Sequence, residues 1–94
     1  MIEDLLSPWE FLKKVEELTP GEKFEYYTGL LTANRGGAKR KLAKVALLCS
    51  EWDLVSLVQK RNGVDDYTYW AIRTTKGEIT PELTNQIRQL QKAR

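Results

Sequence analysis

The chain alternates between two hydrophobic periods. Trp9, Phe11, Leu12, Val15 and Leu18 recur at helical spacing, with Lys13, Lys14, Glu16 and Glu17 between them, which predicts a helix over 8–18 with one buried face. Ser7-Pro8-Trp9-Glu10 supplies its start: a capping serine, a proline at the first helical position and a glutamate to close a capping box. Thr19-Pro20-Gly21 stops it. The run Lys23-Phe24-Glu25-Tyr26-Tyr27-Thr28-Gly29 is short, aromatic and bounded by glycines, which predicts a strand. Leu30 to Arg35 either continues that strand or makes a short helical turn before Gly36-Gly37 breaks the pattern.

From Ala38 the period is helical again. Leu42, Val45, Ala46 and Cys49 fall on one side, and Leu47 and Leu48 widen the apolar surface, so a largely buried helix is expected over 38–51. Leu54 to Arg61 and Tyr67 to Thr75 are two β-prone runs around Asn62-Gly63, the signal of an antiparallel hairpin turning at that dipeptide. Tyr67 and Tyr69 share one face of it, and Thr68, Trp70 and Ile72 the other. Arg73 alternates with Ala71 and is expected either beside Lys60 on one sheet face or in solvent. Thr80-Pro81-Glu82 opens a last helix over 81–92 with a narrow stripe of Leu83, Ile87 and Leu90; its polar tail, Gln89 to Arg94, is expected to fray. The order is helix, strand, helix, hairpin, helix: an α+β fold, winged-helix-like, with a small antiparallel sheet covered by helices.

At 94 residues the chain is expected to form a single domain over 1–94 with its core in 8–92. With no histidine and one cysteine, Cys49, Ser–His–Asp and Cys–His catalysis are excluded. No metal-ligand spacing, nucleophile elbow or phosphate loop appears. The adjacent carboxylates Glu16-Glu17 and Asp65-Asp66 diverge and make poor acid–base dyads. A non-enzymatic protein without cofactor or metal is therefore expected. The longest uncharged apolar stretch, Val45 to Cys49, is too short for a membrane span, and no signal-peptide pattern opens the chain, so a cytoplasmic location is expected.

Charge changes the picture most. The formal total is +2, yet residues 1–33 carry a net −4, residues 34–61 a net +5 and residues 62–94 a net +1. Arg35-Gly36-Gly37-Ala38-Lys39-Arg40-Lys41-Leu42-Ala43-Lys44 is half basic. Cations in a first helical turn oppose the helix dipole at a cost of about 0.3 kcal/mol or more each. A phosphate at that helix start reverses the sign, because backbone N–H groups and cationic side chains converge on it. Arg35, Lys39, Arg40, Lys41 and Lys44 are therefore the candidate nucleic-acid contacts, with Lys60 and Arg61 on the hairpin as a flank. Asp65 and Asp66 beside that flank repel phosphate. Tyr26, Tyr27, Tyr67, Tyr69 and Trp70 are strand aromatics able to stack bases, although packing accounts for most of them.

The run from Pro20 to Arg35, with its Pro-Gly turn and Tyr26-Tyr27-Thr28-Gly29, continues into Leu57-Val58-Gln59-Lys60-Arg61 and Tyr67-Thr68-Tyr69-Trp70-Ala71-Ile72-Arg73. Over about residues 20–75 this resembles short phage and prophage proteins of winged-helix type. The resemblance implies a phage origin, a winged-helix-like fold and a place in the host cytoplasm. Duplex DNA is the expected partner. The alternative is a phage-encoded protein-binding module or inhibitor that occupies a host protein or defence complex, with the acidic first helix as a second surface. Homodimerisation through Leu83, Ile87 and Leu90 is compatible with either.

Overall fold

The starts of the first and last helices follow from their local sequence. The computed structural model describes residues 5–29 and 37–92; the alternatives for residues 30–35 lie outside them, as does the end of the tail. Helix α1 spans Pro8–Glu17. The Glu10 N–H donates to the Ser7 hydroxyl (3.2 Å) and the Ser7 N–H to the Glu10 carboxylate (3.0 Å), closing the capping box. Hydrogen bonds to the Glu10 carboxyl from Ser7, its backbone N–H foremost and then its side chain, hold that carboxyl below its ordinary range. Pro8, Phe11, Leu12 and Val15 form the buried face. Gly21, at φ +93°, turns the chain into strand β1, Lys23–Gly29.

Helix α2 (Ala38–Glu51) leads into a hairpin of β2 (Val55–Gly63) and β3 (Asp66–Arg73), and α3 (Pro81–Lys92) follows. Among the described residues three antiparallel strands lie in the order β1-β3-β2, and with three helices they make an α+β fold. Phe24 and Leu57 both pair with Ala71, which fixes the helix-facing side of the sheet. Glu25 and Val58 pair with Trp70, and Lys60 with Thr68, on the outer side. A register shift between Glu25 and Tyr27 lets consecutive Tyr26 and Tyr27 both be buried, which strict alternation forbids.

One hydrophobic cluster draws on all three helices and all three strands. The Phe11 ring meets Phe24 at 5.2 Å and Tyr26 at 5.4 Å, both edge-to-face. Leu83 and Ile87 are fully buried in that cluster, and Leu90 packs partly buried against it, so the apolar stripe of α3 is largely consumed within the chain. Cys49 is also in the cluster, and burial pushes its thiol up to about 12 despite the opposing charge of Arg73, which leaves the thiol protonated and unreactive.

Two expectations need correction. The hairpin does not turn at Asn62-Gly63: Gly63 still pairs with Asp66, and Val64-Asp65 make the turn, with Asp65 at φ +53°. A glycine serves a bulge as well as a turn, and the register shifts between Arg61 and Gly63. There the Asn62 amide donates to the Thr68 hydroxyl (2.9 Å) and Arg61 Nε to the Gly63 carbonyl (3.1 Å). Second, Arg73 does not join Lys60. It pairs with Val55 on the helix-facing side, half-buried, with Nη1 enclosed and without a partner.

Helix α2 closes with a Schellman motif. Asp53 takes the left-handed conformation (φ +60°), while the Leu54 N–H reaches the Cys49 carbonyl (2.9 Å) and the Asp53 N–H that of Ser50 (3.0 Å). Gly77 lies flat against this turn: a Cβ there would sit 2.5 Å from the Asp53 carbonyl carbon and 2.6 Å from the Trp52 oxygen. Gly77→Ala is expected to destabilise the protein by roughly 1–3 kcal/mol, since backbone must shift to admit the methyl group. Urea denaturation measures this; an unchanged midpoint would show that residue 77 does not rest on the helix end.

Candidate nucleic-acid interface

Two of the three helices begin with a capping side chain. Ser7 and Glu10 cap α1, and the Leu83 N–H donates to the Thr80 hydroxyl at the start of α3 (3.2 Å). Helix α2 differs. Its cap is Gly37, at φ +83°, with no side-chain hydrogen bond and no acidic residue in the first turn. Ordinary helix stability favours an oxygen acceptor and a carboxylate there. This helix is held instead by Leu42, Val45, Ala46 and Cys49, all buried in the core.

The basic side chains leave that start in different directions. The Lys39 ammonium lies 5.7 Å from the Tyr27 ring centroid, over β1. Lys41 Nζ donates to the Gln91 carbonyl of α3 (3.2 Å). Arg40 and Lys44 are exposed, one helical turn apart on the outward stripe. A cleft of about 340 Å³ lies where the helix ends converge, lined by Ser7, Pro8, Gly37, Lys41 and Gln91 along with Leu5 and Leu6. Arg35 lies outside the described residues.

The hairpin reaches the same end of the molecule. Ala43, Ala46 and Leu47 of α2 share a groove with Leu57, Val58 and Gln59 of β2. The chain reverses between helix and strand within Trp52-Asp53-Leu54, so the two run antiparallel and the hairpin tip points the way the helix starts. Arg61 pairs with Tyr67 on the helix-facing side, whereas Lys60, paired with Thr68, is on the outer side. The tip is Val64, 82% exposed, beside Asp65.

The strand aromatics are mostly spent on packing. Tyr26, Tyr27 and Tyr69 are buried, and burial, then Tyr69, push the Tyr26 hydroxyl up to about 12. Trp70 is half-buried on the outer face, with the Lys23 ammonium 5.0 Å from its ring centroid. Helix α2 is less covered than its composition suggests: Leu47 is 56% exposed. Periodicity placed Leu47 beside the apolar stripe but carried no information on how far its neighbours reach.

Among the described residues no group of three or more cysteine or carboxylate side chains gathers to hold a metal, and no helix is long and apolar enough to cross a membrane. Comparison with protein-family models, with curated proteins and with solved structures finds no match to this chain.

Proposed function

We propose that this protein binds duplex DNA, without catalysis, through phosphate contacts centred on the start of α2 and flanked by the hairpin, as a winged-helix-like domain of phage origin acting in the host cytoplasm. One observation carries the reading: α2 alone of the three helices begins with no capping side chain and no acid, and has Lys39, Arg40 and Lys41 in their place. A phosphate satisfies the backbone N–H groups and the cations together. The element order with a β1-β3-β2 sheet supports it, since a winged helix sets its reading helix just before the hairpin. Arg40 and Arg61 extend the positive surface, and Lys60 serves a strand passing the outer face of the hairpin. Contacts of this kind, to phosphate, fix position and affinity rather than sequence.

Replacing Lys39, Arg40 and Lys41 together by alanine is expected to weaken binding to random-sequence duplex. It also lowers the steepness of the log affinity–log salt plot by about 3, roughly one per phosphate contact removed. Titration of parent and variant by fluorescence anisotropy at several salt concentrations measures both; equal binding by the two places the contact elsewhere. A second reading, a module that occupies a host protein, is favoured by the exposed Leu47. A parent that binds no duplex at low salt selects it.

A further inference from the structure

The outward stripe of α2 carries more than cations. Lys44, Leu47 and Glu51 follow one another at i, i+3 and i+7, on one side of the helix, and all three are exposed. Leu47 stands between two open clefts. One, of about 500 Å³, is walled by Leu48 and by Leu90 of α3; the other, of about 440 Å³, by Leu57 and Val58 of β2. An apolar knob flanked by apolar hollows is the surface from which paired helices interlock.

The charges on this stripe are unspent. Lys44 and Glu51 are seven residues apart, about 10 Å along the axis, too far to pair with each other. Neither side chain makes a hydrogen bond or ion pair among the described residues. Glu51 sits in the last turn of α2, which contains no basic residue, so its carboxylate faces the negative end of the helix dipole. A cation from outside the chain would relieve it.

From this pattern we propose that the occupant of this face is a second copy of the chain, docked about a two-fold axis with the two α2 helices antiparallel. With the axis crossing between Leu47 and Leu48, Lys44 of each copy meets Glu51 of the other, and Leu47 meets Leu48. The order cation, apolar centre, anion is thus its own complement on reversal, as an isologous contact requires. Both charges of each copy are paired, the exposed leucine is covered, and Leu90 closes the flank. The inference does not rest on DNA binding: the start of α2 stays outside the contact, with one basic cluster at each end of the helix pair.

The experiment is sedimentation equilibrium on the full chain and on four variants. The parent is expected to dimerise. Lys44→Glu and Glu51→Lys, each setting like charges face to face, are expected to raise the dimer dissociation constant roughly tenfold or more, whereas the double variant exchanges the partners and returns it to near the parent value. Leu47→Asp, on an exposed position that folding does not need, is expected to be monomeric with unchanged circular dichroism. A parent that stays monomeric up to about 1 mM, the weak end of the affinity scale, overturns the proposal, and so does a double variant that dissociates as readily as the singles. Lys44, paired across the contact, is not one of the cations assigned to phosphate, so the charge exchange tests the dimer alone. Loss of duplex binding and loss of self-association are therefore read separately.

Discussion

Raising the salt concentration from about 50 to about 200 mM is expected to weaken duplex binding roughly 150-fold. The figure follows from the placement of the cations. Lys39, Arg40 and Lys41 belong to the first turn of α2, and Arg61 lies on the side of the hairpin that faces it. About four contacts at a slope of about −0.9 each give a log–log slope of about −3.6, which a fourfold rise in salt turns into that loss. The formal charge of +2 would suggest far weaker salt dependence if it were spread evenly. The effect comes from segregation, with the acidic side chains concentrated in residues 1–33. A slope shallower than about −2 would mean that the cations of α2 do not meet phosphates as a group.

Phe11→Ala is expected to cost about 3–5 kcal/mol of folding stability, a large share of the roughly 5–15 kcal/mol of a typical domain. Phe11 is fully buried, and its ring joins α1 to β1 through the edge-to-face contacts with Phe24 and Tyr26. Alanine removes both contacts, each worth about 0.5–1.5 kcal/mol beyond area burial, and leaves a cavity that the sheet cannot collapse to fill. The fall in urea midpoint, with the slope unchanged, measures it. A loss below about 1 kcal/mol would place Phe11 outside the core that holds α1 on the sheet. The effect reaches the site as well, because Ser7 and Pro8 at the start of α1 line the cleft beside Gly37 and Lys41.

The elements were legible because local chemistry and hydrophobic period agree in them. Ser7 with Glu10 marks α1, Thr80 with Pro81 marks α3, and Leu42, Val45, Ala46 and Cys49 at helical spacing all prove buried. The departures share a cause: sequence pattern assumes regular geometry. A bulge makes Tyr26 and Tyr27 neighbours on one face, and another carries β2 through Asn62-Gly63 to a turn at Val64-Asp65. Neither irregularity changes the composition of its segment. Alternation of Arg73 with Ala71 led to an expected place beside Lys60 or in solvent, whereas Arg73 pairs with Val55 on the helix-facing side, half-buried through packing that residue types do not encode. The basic segment was visible as a run; that its side chains divide between Tyr27, Gln91 and solvent was not.

The two register shifts have a consequence for crowding. Among the described residues β3 is paired on both sides, β1 and β2 are the outer strands, and each of these contains one irregularity. A bulge twists an edge and interrupts the even ladder of donors and acceptors that an added strand needs. On β2 the irregularity adjoins Lys60 and Arg61, whose like charges repel an identical strand laid alongside. The sheet of the described residues thereby resists extension: two irregular, charged edges oppose the merging of sheets from neighbouring copies into a fibre when the chain is concentrated.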